Sequence, residues 1–174
     1  LDYREMAPAR ATRDMFLDSN GNVVNQKARF SHQSSGVPGT VAGLAHALEL
    51  YGTMSWQEVV APSIKLAEEG ILVSYDLAEN LKSRHKWLTA NEAAAAAYYK
   101  GNGVPYEPGE VLVQPDLAWT LKELAKHGPD AFYKGEIAKR IVADMQANNG
   151  LITLEDLANF TDAERDAVST SYRG

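Results

Sequence analysis

The chain has 174 residues, ample for a domain with its own core, and its 45% hydrophobic content marks it as globular rather than disordered. Seventeen basic against twenty-three acidic residues leave a net charge of −6 and a pI near 5.2, and with no dense basic run this argues against nucleic acid as a partner. No apolar run approaches the roughly 20 residues of a membrane-crossing helix, and the absence of cysteine excludes disulfides, thiol nucleophiles and thiolate metal sites.

Leu1 opens the chain without an initiator methionine, in what reads as the last residues of a strand: Leu1 and Tyr3 alternate with Asp2 and Arg4. The sequence is therefore expected to begin inside a longer protein, and the lack of a signal peptide carries no information about compartment. Pro8 lacks an N–H and ends any pairing. Arg4 sits where the strand runs out, a common place for a scaffold to present a binding group, and its planar fork of donors suits a carboxylate or phosphate. Seen only against its neighbours, it is more simply an arginine paired with Glu5 or Asp2, or solvated at a strand end.

Residues 9–17 fit one or two helical turns, with Met15 and Phe16 as apolar anchors, and Asp18-Ser19-Asn20-Gly21-Asn22 predicts an exposed turn. Val23 to Gln33 is polar and reads as a surface loop. In Gly36-Val37-Pro38-Gly39-Thr40, two glycines and a proline call for special backbone geometry and close approach of the main chain to something. Thr40 is expected to cap a helix over 41–50 with Val41, Leu44, Ala45 and Leu48 on one face, Gly43 admitting a neighbouring backbone, and Gly52 as C-terminal cap. Ser55 and Glu58 have capping-box spacing before a helix that ends at Gly70, with a kink or break expected at Pro62.

Ile71-Leu72-Val73 reads as an apolar link, and Ser74 as the cap of a helix to Leu88 with Leu77, Leu81 and Leu88 inward. The alanines 93–97 favour helix, and Val111-Leu112-Val113 is a candidate paired stretch. Further helices are expected from Pro115 to Lys126, over Asp130 to Tyr133, from Glu136 to Ala147 with Ile137, Ile141, Val142 and Met145 aligned, and from a Thr153 cap toward Phe160. Val168 to Gly174 alternates like the start of a strand.

No complete active site can be assembled from these residues. HExxH, GxSxG and P-loop motifs are absent. His46 lies near an apolar helix face and is more simply packed than catalytic. His85 and His127 sit near helix C-termini, where the dipole favours a protonated ring. His32 has Ser31, Ser34 and Ser35 nearby, but nothing in the sequence orients the ring, and the hydroxyls more simply bond the loop backbone. Glu68-Glu69 and Glu155-Asp156 are adjacent, so on a helix they diverge by about 100° and make poor proton-sharing dyads. Arg4 and the loop 31–40 are the places worth attention.

Asp2-Tyr3-Arg4-Glu5-Met6-Ala7-Pro8, Ala11-Thr12-Arg13-Asp14-Met15-Phe16 and the run Ser34 to Gly43 resemble the large subunit of γ-glutamyltranspeptidases. Tyr51-Gly52-Thr53-Met54, the block Gly128 to Gly135, the block Gly150 to Leu157 and Tyr172-Arg173-Gly174 continue the resemblance, and residues 22–33 and 83–110 are least typical. The resemblance implies a mainly α fragment of an α/β N-terminal-nucleophile hydrolase, an αββα sandwich, with short strands at both ends. Residues 1–174 are expected to form a single, mostly helical segment of the large subunit, the parent domain being incomplete. It implies a self-cleaving precursor whose small subunit begins with the nucleophilic threonine, absent here, and forms a heterodimer with the large one. The donor is glutathione or another γ-glutamyl compound, the acceptor an amino acid or water, and the parent is periplasmic or secreted. Neither metal nor other cofactor is called for. The family arginine that binds the donor's α-carboxylate falls on Arg4, and no catalytic residue falls on this chain. Two other readings stand beside this one: a related cephalosporin-type acylase, and a helical interaction module without catalysis.

Overall fold

Turn formers and caps partition the chain into nine α-helices and one two-stranded sheet, in a computed structural model that describes all 174 residues. In chain order these are α1 (Asn25–Phe30), α2 (Thr40–Tyr51), α3 (Trp56–Glu69), β1 (Ile71–Leu72), α4 (Tyr75–Leu88), α5 (Glu92–Tyr98), β2 (Val111–Leu112), α6 (Pro115–His127), α7 (Asp130–Tyr133), α8 (Glu136–Ala147) and α9 (Leu154–Ala158). Contacts gather them into two compact units, Leu1–Trp56 with Lys126–Gly174, and Gln57–Ala125.

The core of the first unit forms where α7, α8 and α9 meet. Leu157 and Ala138 are wholly buried, and Val37, Tyr133, Val142 and Ile152 close around them, with Phe132 and Phe160 at the margin. Side chains of this size each contribute about 1.5–3 kcal/mol when fully buried. Of the four positions that the spacing of α8 aligns, Ile137 and Val142 are buried and Ile141 and Met145 pack partly buried against the core, with Ala138 buried beside them. Asn149 and Gly150 then turn the chain, Asn149 at φ 56°. Thr153 accepts from the N–H of Asp156 while Asp156 accepts from the N–H of Thr153, a reciprocal cap that starts α9.

In the second unit, β1 and β2 pair antiparallel, Ile71 opposite Leu112 and Leu72 opposite Val111. Ile71–Val73 is thus more than a link; a two-residue strand lacks the length to show a period in sequence. Ser74 Oγ accepts from the N–H of Leu77 and Asn91 caps α5 in the same way. Val73, Ala78 and Leu112 form the local core, and the hydroxyl of buried Tyr99 donates to the Leu81 carbonyl at 2.6 Å. α3 runs unbroken past Pro62. That residue lies on the exposed side of the helix, where water can satisfy the carbonyl that loses its partner.

Several local expectations are corrected. Residues 9–17 form turns rather than helix, and a bridge from Leu17 to Val23 closes the 18–22 turn, whose Asp18 carboxylate accepts from the N–H groups of Asn20 and Asn22. The loop 23–33 contains α1 and a 3₁₀ turn at His32–Ser34, although α1 buries no residue. Gly39, not Thr40, stands at the N-cap of α2 and offers no side-chain bond. Gly52 ends α2 with φ −85°, so it does so without the left-handed geometry of a glycine cap. Leu44 is half exposed and Gly43 is the buried residue of α2, because the packed side of this helix is the one that meets Tyr3 and Tyr133. Residues 168–174 pair with nothing in this chain, and Val168 and Tyr172 stand in solvent. Without a neighbour to exchange N–H···O bonds, alternation alone does not make a strand.

Candidate functional site

Arg4 is carried by an extended segment that is fastened on either side of it. At Asp2 the N–H donates to the Ala163 carbonyl (2.7 Å) and the carbonyl accepts from the Ala163 N–H (2.9 Å). At Met6 the same exchange is made with Val37, at 3.2 and 2.7 Å. Between these bridges Tyr3, Arg4 and Glu5 have no ladder partner. The Gly36–Gly43 stretch explains how the segment fits. A methyl group at Gly36 would stand 2.7 Å from Cγ of Glu5, one at Gly39 would enter the Tyr3 carbonyl, and one at Gly43 would overlap the Tyr3 ring and Cβ. Gly39 and Gly36 admit the main chain of Tyr3 and Met6, whereas Gly43 admits the Tyr3 side chain and not the neighbouring backbone that its place in the helix suggests. None of the three adopts a positive φ, so the requirement is for space, not for backbone freedom.

Tyr133 fixes the far side of the glycine turn. Its hydroxyl donates to the Pro38 carbonyl at 2.8 Å and accepts from the Ala42 N–H at 3.1 Å, while its ring stacks on Phe160. Burial pushes its phenol pKa up, so it stays a neutral donor. Asp156 fastens the segment beyond Pro8: besides its cap, Oδ1 accepts from the Ala9 N–H at 2.8 Å. Desolvation by burial opposes its ionisation, but the N–H of Ala9 and the hydroxyl and N–H of Thr153 outweigh it and hold the carboxyl below its usual range. Asp156→Ala is expected to cost about 1–3 kcal/mol, read as a lowered denaturation midpoint of the complete protein. The contribution of the ionised group is present above the ordinary carboxylate pKa and lost as pH falls through the depressed one, so the gap between wild type and variant should narrow in acid. An unchanged midpoint at neutral pH would contradict this.

The Arg4 side chain is 83% exposed. Its Nε donates to Glu5 Oε1 at 3.3 Å, the neighbour pairing that the sequence suggests. Such an exposed pair is worth little, and it leaves the two terminal nitrogens for a ligand. They border an open cleft of about 660 Å³ between residues 1–5 and 36–40, lined also by Tyr3, Pro38 and Thr40. The guanidinium is the cationic side chain of that lining, beside Asp2 and Glu5, and the opening gives a small anion access from solvent. No side-chain bond joins Asp2 to the guanidinium. Its Oδ1 accepts instead from the Arg4 backbone N–H at 3.3 Å, and its Oδ2 from Arg165 Nε at 2.6 Å. Those bonds, the backbone one first, hold the Asp2 carboxyl below its ordinary value.

The histidines take structural partners. His32 Nε2 lies 3.0 Å from Asp144, so an acid more than a hundred residues on, not a serine, orients it. The Ser34 hydroxyl bonds the Ser31 carbonyl, the backbone role expected of that loop. His85 bonds the Gly103 carbonyl and packs edge-on to Tyr99. His46 faces Asp162 at 2.7 Å and Glu164 at 3.5 Å. Glu68 pairs with Lys122 and Glu69 with Lys65, so the adjacent acids do diverge to separate partners. No group of three or more potential metal ligands comes together, and no helix is long and apolar enough to cross a membrane. Arg165 on Asp2, and His46 on Asp162 beside Ala163, support the Arg4 segment without having been singled out in sequence for that role. Their pairings join positions more than a hundred residues apart, and no local pattern encodes them.

Comparison with known proteins gives one consistent result. The model of the family described as Gamma-glutamyltranspeptidase matches residues 1–174. The chain is 49% identical to the glutathione hydrolase proenzyme of Escherichia coli (strain K12), over all of this chain and 30% of that protein. It superposes on the crystal structure of Helicobacter pylori gamma-glutamyltranspeptidase with a TM-score of 0.97 at 41% identity, covering 99% of this chain and 50% of that one. Cephalosporin acylase from Bacillus halodurans is also similar, with a TM-score of 0.76 at 27% identity over 100% of this chain and 33% of that one. The chain thus spans about 30% of the length of the curated relatives it matches.

Proposed function

The chain belongs to the gamma-glutamyltranspeptidase family, and from that premise we propose that it is a segment of the large subunit of an enzyme that transfers γ-glutamyl groups from glutathione-like donors to amino acids or water. Both compact units belong to this one segment, and the parent completes an αββα sandwich with residues beyond it. The motif around Arg4 supplies its assignment, and what supports it is an exposed guanidinium bonded through Nε alone, on a residue that borders an open cleft in a segment fastened on both sides.

An arginine fork and a carboxylate form two parallel charge-assisted bonds, strong and geometrically selective. Arg4 would hold the donor's α-carboxylate and so set where the γ-carbonyl lies, a positioning role. The nucleophile, an N-terminal threonine released by self-cleavage of the precursor, lies on the small subunit that partners this chain, and attack on the γ-carbonyl gives an acyl-enzyme. The printed name "proenzyme" of the Escherichia coli relative supports a precursor that matures. A periplasmic or secreted parent is what membership of this family implies. The acylase reading has weaker support, 27% identity against 49% for the glutathione hydrolase.

The complete precursor, matured, is expected to release p-nitroaniline from γ-glutamyl-p-nitroanilide, and residues 1–174 alone to release none. No release by the matured protein would overturn the reading.

A further inference from the structure

The segment that reaches back to Asp2 has partners on two sides, and they alternate. Asp162 and Glu164 both turn to the His46 ring, one to Nδ1 at 2.7 Å and the other to Nε2 at 3.5 Å. Ala163 exchanges both backbone bonds with Asp2, and Arg165 turns to the Asp2 carboxylate at 2.6 Å. This is the period of an extended chain, in which residues i and i+2 share a face. The side chains of Asp162 and Glu164 turn to His46 on α2 and that of Arg165 to Asp2, while the backbone of Ala163 pairs edge to edge with Asp2. The grip is partly shielded from water: the His46 side chain is 29% exposed and that of Asp162 15%. Asp2 in turn accepts from the Arg4 backbone N–H, so the chain of bonds runs from α2 through 162–165 and Asp2 to Arg4.

We propose that residues 162–165 are the positioning element of Arg4, a two-sided clip held by His46 on one face and Asp2 on the other, which fixes where the Arg4 fork is offered to the donor carboxylate. The proposal rests on the assignment of Arg4 as that carboxylate's partner. His46, Asp162, Glu164 and Arg165 are positioning residues, since none of them lines the cleft beside Arg4, and Asp2 acts on Arg4 through the backbone N–H that it accepts from.

The clip has a pH dependence. The imidazole faces Asp162 and Glu164 from the 161–166 segment and Glu49 from its own helix, and α7 contributes the neutral Tyr133 hydroxyl close to Asp162. The bond to Asp162 first, with the charges of all three acids in support, raises the His46 pKa above its ordinary value of 6.5. A raised value means the grip is fully engaged below the ordinary histidine pKa and weakens as pH rises through the raised one. Donor affinity should follow it.

Steady-state kinetics of the complete matured protein with γ-glutamyl-p-nitroanilide test this. R165Q, which leaves the Asp2 carboxylate without its cation, is expected to raise donor KM by about two- to fivefold with kcat within about twofold, as suits a pair whose side chains are 70% and 40% exposed, and R165K to recover most of the loss. In wild type, KM should climb with an inflection above pH 6.5. D162N, which keeps the shape and removes one charge, should move that inflection to lower pH, and H46Q should abolish it. The Arg4→Lys variant run in parallel separates the two layers. If its KM is unchanged, the assignment of Arg4 fails. If Arg4→Lys raises KM while R165Q and H46Q leave both KM and its pH profile as in wild type, the clip is overturned and the assignment of Arg4 stands. Equal losses in kcat with KM unchanged would also overturn the clip. Should R165Q fail to mature, D162N carries the test through its pH profile.

Discussion

Lysine in place of Arg4 is expected to raise the donor KM of the complete enzyme by roughly one to two orders of magnitude while kcat changes far less. A guanidinium meets a carboxylate with two parallel N–H···O bonds held in one plane, whereas an ammonium meets it as a point charge that leaves the angle of approach unset. Each hydrogen bond to a charged group is worth about 1.5–3 kcal/mol, and about 1.4 kcal/mol is tenfold in affinity. The retained charge should keep Arg4→Lys better than Arg4→Ala, which loses attraction as well as angle. The pairing with Glu5 does not change this expectation, because it is exposed and occupies Nε alone. Initial-rate measurements over a range of γ-glutamyl-p-nitroanilide concentrations give both parameters. A donor KM equal to wild type for Arg4→Lys would remove Arg4 from the binding site.

Gly43→Ala is expected to damage the protein although alanine is the better helix former. In the interior of an exposed helix the exchange would gain up to about 1 kcal/mol. Here the new methyl would overlap not only the ring of Tyr3 but its Cβ, so rotating the ring outward gives no relief and the backbone at residue 3 must move. Overpacking of this kind costs typically about 1–3 kcal/mol. The displaced backbone is that of Arg4's immediate neighbour, so donor KM should rise together with a fall in the thermal midpoint. Gly21→Ala is the matching control, since space around Gly21 is open and only its φ of 80° is disturbed. It should lower stability modestly and leave KM alone. A Gly43→Ala protein with a raised midpoint and an unchanged KM would show that Tyr3 does not need this passage.

The helical part of the molecule was legible where local rules suffice. Ser74 and Thr153 announce the helix starts that they cap, and the repeat of α8 marks its inward side. Where tertiary partners decide, the pattern misleads. Leu44 completes an apolar stripe in sequence yet is half exposed, and Gly43 beside it is the residue that packs. The glycines of 36–43 signalled a close approach, but their partner, the segment of Tyr3, stands more than thirty residues earlier. Arg4 owes its assignment to the resemblance of the motif around it, since by charge and neighbours it was an ordinary surface arginine. Its supports at 162–165 left no trace in local pattern, because acids and arginines near a chain end look the same whether or not anything grips them.

The two bridges that fasten Arg4 join distant stretches of chain: Met6 to Val37, and Asp2 to Ala163. This bears on the order in which the molecule assembles. Closing a long loop carries an entropic cost before its contacts return anything, and a ribosome delivers residue 2 many seconds before residue 163 at typical synthesis rates of roughly 5–20 residues per second. The Val37 bridge can form early. The Ala163 bridge must wait until nearly the whole segment has emerged, by which time the nearby core of α7, α8 and α9 can already be in place. Arg4 is therefore expected to be among the last features of its unit to reach its final position, after the scaffold that presents it has folded.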